Sequence, residues 1–167
     1  LKSVDQTALK ELVTSIKNGG YSSIAVALLH AYANPDHEKQ VECVLKESLP
    51  GIPITLASTL SPKFREYERT STAVANAYIR PIVSSYIDRL EGTLSGKGFH
   101  QSMFVMQSAG GLISPDIVKE EPIRIVESGP AAGVLMAGII GSEAGINHVI
   151  SFDMGGTTAK LGAVDGG

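Results

Sequence analysis

The chain has 167 residues, 43% hydrophobic and 19% charged, with 14 basic and 17 acidic side chains and a net charge of −3. That balance predicts a folded domain with a sizeable core and excludes a disordered chain, while the lack of a basic stripe gives nucleic-acid binding no support. The single cysteine, Cys43, cannot close an internal disulfide and fits a reducing, cytoplasmic compartment, and no apolar stretch reaches the ~20 residues of a membrane span.

Residues 3–17 read as a helix. Ser3 with Gln6 fits a capping box, Leu9, Leu12, Val13 and Ile16 recur at helical spacing, and Asn18-Gly19-Gly20 stops it. Residues 24–29 (IAVALL) form a continuous apolar run of strand length, as expected of a strand covered on both faces. A helix opens at Pro35, shows one face through Val41, Val44, Leu45 and Leu49, and ends at Pro50-Gly51. Cys43 falls on it as a small, half-buried side chain. Residues 52–57 read as a second strand.

A polar block, residues 61–71 (SPKFREYERTS), leads into a long helical pattern marked by Ile79, Ile82, Val83, Tyr86, Ile87 and Leu90. Pro81 inside it predicts a kink or a fresh start. Residues 103–106 read as a third strand, Ser108 to Gly111 as a small-residue turn, and residues 115–120 as a short helix. Residues 128–144 form a helix apolar all round, which normally means a buried one. Strands at 148–152 and 160–164 close the pattern and are spaced to pair as a hairpin. Strands alternating with helices predict an α/β fold with a mostly parallel sheet flanked by helices.

The turn between those last strands carries chemistry. Asp153 ends an apolar run and is followed by Met154, Gly155, Gly156, Thr157 and Thr158. Glycines let several backbone N–H groups approach one phosphate, the threonines add hydroxyl donors, and a carboxylate at a strand end suits Mg²⁺. By itself the pattern is equally a plain hairpin turn. Before it, Ser128 to Val134 (SGPAAGV) opens the small-residue helix, with Gly129 and Gly133 free of side-chain bulk.

This pairing resembles the actin, heat-shock chaperone and sugar-kinase superfamily, which implies an actin-like (ribonuclease H-like) ATPase fold whose hairpin is the second of two phosphate loops. A narrower resemblance runs in order from residue 28 to residue 158. LLHAYANPDHE (28–38), REYERTST (65–72), NAY (76–78) with Pro81, QSAGG (107–111), SGPAAGV (128–134) and DMGGTT (153–158) are similar to blocks of the hydantoinase A / 5-oxoprolinase family.

The resemblance implies an ATP- and Mg²⁺-dependent hydrolase that opens hydantoin- or 5-oxoproline-type cyclic amides, together with a hydantoinase B-type partner and an oligomeric whole. Relatives that carboxylate acetone or acetophenone give a second reading, and a non-catalytic ATPase switch a third. By the resemblance, Asp153, Gly155, Gly156, Thr157, Thr158, Gly129 and Gly133 hold the cofactor, with Asp153 also the metal ligand. Asp153 and Arg69 are the catalytic candidates. Ala159-Lys160 departs from the many family members that carry an acid there.

The opening residues lack Met, and no other D-x-G-G-T block occurs, so residues 1–167 read as one internal α/β fragment, 1–125 then 126–167, inactive by itself. Arg69 or Arg65 either binds a carboxylate or phosphate or belongs to a solvated helix start with local salt bridges. His30 at a strand end is either a site residue or a hydrogen-bonded structural one. Gln107 to Gly111 either lines the cleft or is a turn.

Overall fold

The computed structural model describes residues 3–166; Leu1, Lys2 and Gly167, included in the expected fragment, lie outside the described residues. The elements run α1 (Gln6–Gly19), β1 (Ile24–Val26), α2 (Asp36–Ser48), β2 (Ile54–Leu56), α3 (Ala57–Leu60), α4 (Glu66–Gly96), β3 (Val105–Met106), β4 (Leu112–Ile113), α5 (Pro115–Glu120), a 3₁₀ turn (Pro122–Ile125), α6 (Ser128–Glu143), β5 (His148–Met154) and β6 (Ala159–Asp165). The architecture is α/β. The described residues form two compact units, residues 3–93 with 119–123, and residues 94–118 with 124–166.

The first unit is built on a parallel pair, β1 beside β2, with Ile24 opposite Ile54 and Val26 opposite Leu56. Val13 of α1, Leu45 and Leu49 from α2 and its end, and Val26, Ile54 and Leu56 of the strands form its core. The cap of α1 is Asp5 and not Ser3. The Asp5 carboxylate accepts the N–H groups of Thr7 (2.9 Å) and Ala8 (3.2 Å), and a full negative charge at a helix start gains from the macrodipole as well.

The apolar run 24–29 is a strand only as far as Val26. Both backbone groups of Leu28 go to side chains: its N–H to Glu38 at 2.8 Å and its carbonyl to Arg69 at 3.1 Å. No ladder partner is left to either, so the strand stops and Leu28 and Leu29 are exposed. Cys43 is exposed too, and not half-buried, on the outer face of α2.

Helix α4 passes through Pro81 without interruption. The proline has no N–H for the carbonyl of Ala77 one turn earlier, and the Ser23 hydroxyl donates to that carbonyl instead, at 2.6 Å. Ser23→Ala is expected to lower stability by about 1–2 kcal/mol, because a half-buried acceptor loses its donor. Urea denaturation checks this, and an unchanged midpoint would show that water serves Ala77 equally well.

The buried face of α4 is Arg69, Ala73, Asn76, Ala77 and Ile87, so of the expected apolar stripe only Ile87 is buried, and Ile82 and Tyr86 are exposed. Asn76 is fully buried. Its amide nitrogen donates to Thr55 and to the Glu120 carbonyl, both at 3.1 Å, and its oxygen accepts the Ile123 N–H at 3.1 Å. Three partners for one amide explain a polar residue on the inner face of a helix.

The second unit contains two antiparallel pairs. β3 and β4 form a short hairpin, and the second of these strands has no counterpart among the expected elements. Its turn needs Gly110 and Gly111, both at left-handed φ (85° and 83°). β5 and β6 pair over seven positions, from His148 opposite Asp165 to Met154 opposite Ala159, the hairpin that the spacing predicts. Helix α6 lies on one face of this hairpin. Being apolar all round it was expected to be buried, yet among the described residues only Gly141 is, and Leu135, Met136, Ile139 and Ile140 are exposed. The hairpin covers one side of the helix and leaves the other bare.

Candidate functional site

The close approach of α6 to the hairpin explains its small residues. A side chain at Gly162 of β6 would place its Cβ 2.1 Å from the Val134 Cγ2, and one at Gly141 would sit 2.3 Å from the Val149 Cγ2. Val134 is β-branched and has little room to turn away. Gly162→Ala is therefore expected to cost about 1–3 kcal/mol by forcing helix and hairpin apart. Thermal melting that matches wild type would contradict the contact.

That packing brings the start of α6 beside Asp153. A small cleft of about 100 Å³ is lined by Pro130, Gly133, Ser151, Asp153 and Lys160, among others. It has room for a phosphate-sized anion and far less than the about 300–1,000 Å³ of a whole small-molecule site. Asp153 and Lys160 are cross-strand partners. The Lys160 ammonium makes an ion pair with Glu127, the residue preceding the first turn of α6. Glu127 has left-handed backbone (φ 64°) and caps nothing with its side chain.

The turn itself is held by one bond, from the Gly155 N–H to the Thr158 carbonyl at 2.9 Å. Among the described residues, the backbone N–H groups of Gly156, Thr157 and Thr158 and both threonine hydroxyls have no hydrogen-bond partner. Neither Gly155 nor Gly156 has left-handed φ, and a Cβ on either would meet nothing within 4 Å; the same clearance holds at Gly129 and Gly133. Nothing among the described residues therefore requires glycine at these four positions. What the glycines leave is open backbone that a ligand can approach.

Among the described residues no three His, Cys, Asp or Glu side chains group as a metal site. Asp153 alone fits the way Mg²⁺ is commonly held, by one or two carboxylates with the remaining ligands from phosphate and water.

Arg69 belongs to the first unit, and its side chain is fully enclosed. It donates to the carbonyls of Lys63 and Leu28, both at 3.1 Å, pairs with Glu66, and lies 5.5 Å from the centre of the Tyr32 ring. As placed, it anchors the loop after β1. Arg65 is the exposed cation of that block and pairs with Glu68 at 3.3 Å. A backbone hydrogen bond, followed by Arg65, holds the Glu68 carboxyl below the usual carboxylate range.

His30 is exposed at left-handed φ (56°), its backbone N–H on Glu66 and its ring edge-on to Tyr32. Gln107 to Gly111 is the β3–β4 turn, where the Gln107 amide donates to the Gly110 carbonyl at 2.9 Å and Ser108 bonds the carbonyls of Arg124 and Val126.

Reasoning from sequence did not find the Glu127–Lys160 pair, whose partners lie 33 residues apart, nor the fully buried Glu38. The Glu38 carboxylate accepts the N–H groups of Leu28 and Ser58, at 2.8 and 2.9 Å, and so joins the ends of both strands. A larger cleft of about 400 Å³ beside β2 is bordered by Thr55, Asn76, Arg80 and Glu120. The Arg80 guanidinium is already bonded to Ile54, Lys119 and Glu120, and the Asn76 amide is also fully bonded.

An α/β chain with a small-residue helix packed on an Asp-x-Gly-Gly-Thr-Thr hairpin is a piece of an actin-like fold. The chain belongs to the hydantoinase/oxoprolinase family, which it matches over residues 69–167, with the N-terminal region of that family matched over residues 1–49. It is 37% identical over 161 residues to an uncharacterized protein of Methanocaldococcus jannaschii, covering 96% of this chain and 24% of that one.

It is 29% identical to the caprolactamase subunit alpha of Pseudomonas jessenii (98% of this chain, 24% of that one). With the 5-oxoprolinase of Saccharomyces cerevisiae it shares 32% identity (96% and 12%). A chain of nucleotide-free acetone carboxylase has the same fold, with a TM-score of 0.80 at 24% identity over 96% of this chain and 23% of that one. The chain thus spans a quarter or less of the length of these proteins. No helix among the described residues is long and apolar enough to cross a membrane.

Proposed function

We propose that these residues form one phosphate loop of an ATP-dependent enzyme that opens a cyclic amide of the hydantoin or 5-oxoproline type. The observation that carries this is the β5–β6 turn, where three successive free N–H groups and two hydroxyls stand beside Asp153. Family membership supports the substrate class, as do the relatives named for caprolactam and 5-oxoproline.

An amide carbonyl resists water at neutral pH; bound ATP would supply a phosphoryl group that activates the carbonyl carbon. Water would then add there, the ring C–N bond would break with a proton going to nitrogen, and inorganic phosphate would be released by hydrolysis. Gly156, Thr157 and Thr158 would receive phosphate oxygens on their backbone N–H groups, and the threonine hydroxyls would add two donors. Asp153 would orient Mg²⁺ against them, and Gly129 and Gly133 would let the nucleotide pass close to α6. The work of this part of the site is positioning and charge neutralisation. A B-type subunit would complete the enzyme, as part of an oligomeric, cytoplasmic whole.

The test is ADP release by the intact protein that contains this chain, with 5-oxoproline, hydantoin or caprolactam as co-substrate. Release that depends on a cyclic amide is expected. Release only with acetone or acetophenone plus bicarbonate would move the protein to the ketone carboxylases, and no co-substrate dependence at all would favour a nucleotide switch.

A further inference from the structure

Among the described residues Lys160 is the one cation lining the cleft beside Asp153, and its present partner holds it weakly. Its side chain is 35% exposed and that of Glu127 is 69% exposed, so the ion pair is open to solvent and easily exchanged. Asp153 lies opposite Lys160 across the strands and makes no ion pair with it among the described residues.

Asp153 and Lys160 line this cleft at the ends of the two strands that the turn joins, so a phosphoryl group bound by the free N–H groups of the turn would lie next to the ammonium. It carries more charge than a single carboxylate and more acceptor oxygens, and lysine binds phosphate as a mobile point charge. The ammonium would then turn from Glu127 to the phosphoryl oxygens, and Glu127, exposed and capping nothing, would be released to water.

We propose that Lys160 is a phosphoryl-contacting cation of this loop and that Glu127 is the resting counter-ion it exchanges. A fixed ammonium takes over part of the charge neutralisation otherwise left to the metal, so nucleotide binding here is partly independent of Mg²⁺. The proposal rests on the reading of the turn as a nucleotide phosphate loop.

Calorimetric ATP binding to the intact protein, in EDTA and in excess Mg²⁺, tests it, with thermal melting of each variant as the check on folding. Wild type is expected to bind in both buffers. Lys160→Met should weaken binding about tenfold or more in EDTA, the loss of one charge-assisted bond, and less in Mg²⁺. Lys160→Arg should restore it, and Glu127→Gln should tighten it by removing the competitor.

Wild-type binding confined to Mg²⁺ would overturn the proposal. So would Lys160→Met binding like wild type in EDTA, or Glu127→Gln weakening binding as much as Lys160→Met, the pattern of a purely structural latch. No ATP binding by wild type in either buffer would remove the phosphate-loop reading itself. Mg²⁺-supported binding lost in Asp153→Ala but untouched in Lys160→Met would remove only the role of Lys160.

Discussion

Asp153→Ala in the intact protein is expected to lower amide-dependent ATP hydrolysis by about 100-fold or more while leaving the melting temperature unchanged. The two halves of that expectation come from different observations. Asp153 is exposed near the end of β5 and its carboxylate makes no hydrogen bond among the described residues, so the folded state has little to lose. In the proposed site, however, it is the only carboxylate of the hairpin turn and the one group able to orient Mg²⁺ there. Asp153→Asn keeps the shape and removes the charge, and should fail nearly as badly. Turnover retained by either variant would take the metal away from Asp153.

Arg69→Ala is expected to act the other way, on stability first. The substitution strips an enclosed guanidinium from Glu66, leaves the Lys63 carbonyl without that donor, and leaves the Leu28 carbonyl only the long bond from the Ala31 N–H at 3.3 Å. Glu66 is partly exposed, so the cost comes chiefly from the charge-assisted bonds of the enclosed guanidinium, about 1.5–3 kcal/mol. Arg69→Lys should recover only part, because an ammonium cannot reproduce the fork that spans two carbonyls and a carboxylate. Guanidinium denaturation of the intact protein measures both. An Arg69 that acts on substrate, as its place in the REYERTST block implies, would show the reverse pattern, with stability kept and turnover lost.

Local signals in the sequence were strong where local chemistry decides the structure. The stop of α1 at Asn18-Gly19-Gly20, the helix after Pro35, the opening of α6 at Ser128 and the closing hairpin are all where the pattern puts them, within a few residues. Each depends on contacts a few positions apart: caps, glycines, and alternation around a short turn. Apart from the α1 cap, which is Asp5 two residues beyond the expected Ser3, the larger errors fall where distant side chains intervene. Val26 ends its strand because Glu38 and Arg69, from two different helices, take the backbone groups of Leu28. The helix continues through Pro81, with Ser23 serving the carbonyl that the proline abandons. Neither partner is near in sequence, and no periodicity records it.

The candidate site divides along the same line. The order of residues alone placed the acid, the glycines and the threonines at the end of a strand, because a tight glycine turn is a local device of backbone and short side chains. It also marked α6 as a helix of small residues. Only the tertiary structure decided what those small residues are for: Gly141 and Gly162 let helix and hairpin touch, while Gly129, Gly133, Gly155 and Gly156 face open space. And only the fold brought Glu127 to Lys160, setting a charge pair beside Asp153. Attraction between charges acts through space, and spacing along the chain carries no trace of it until the backbone has folded.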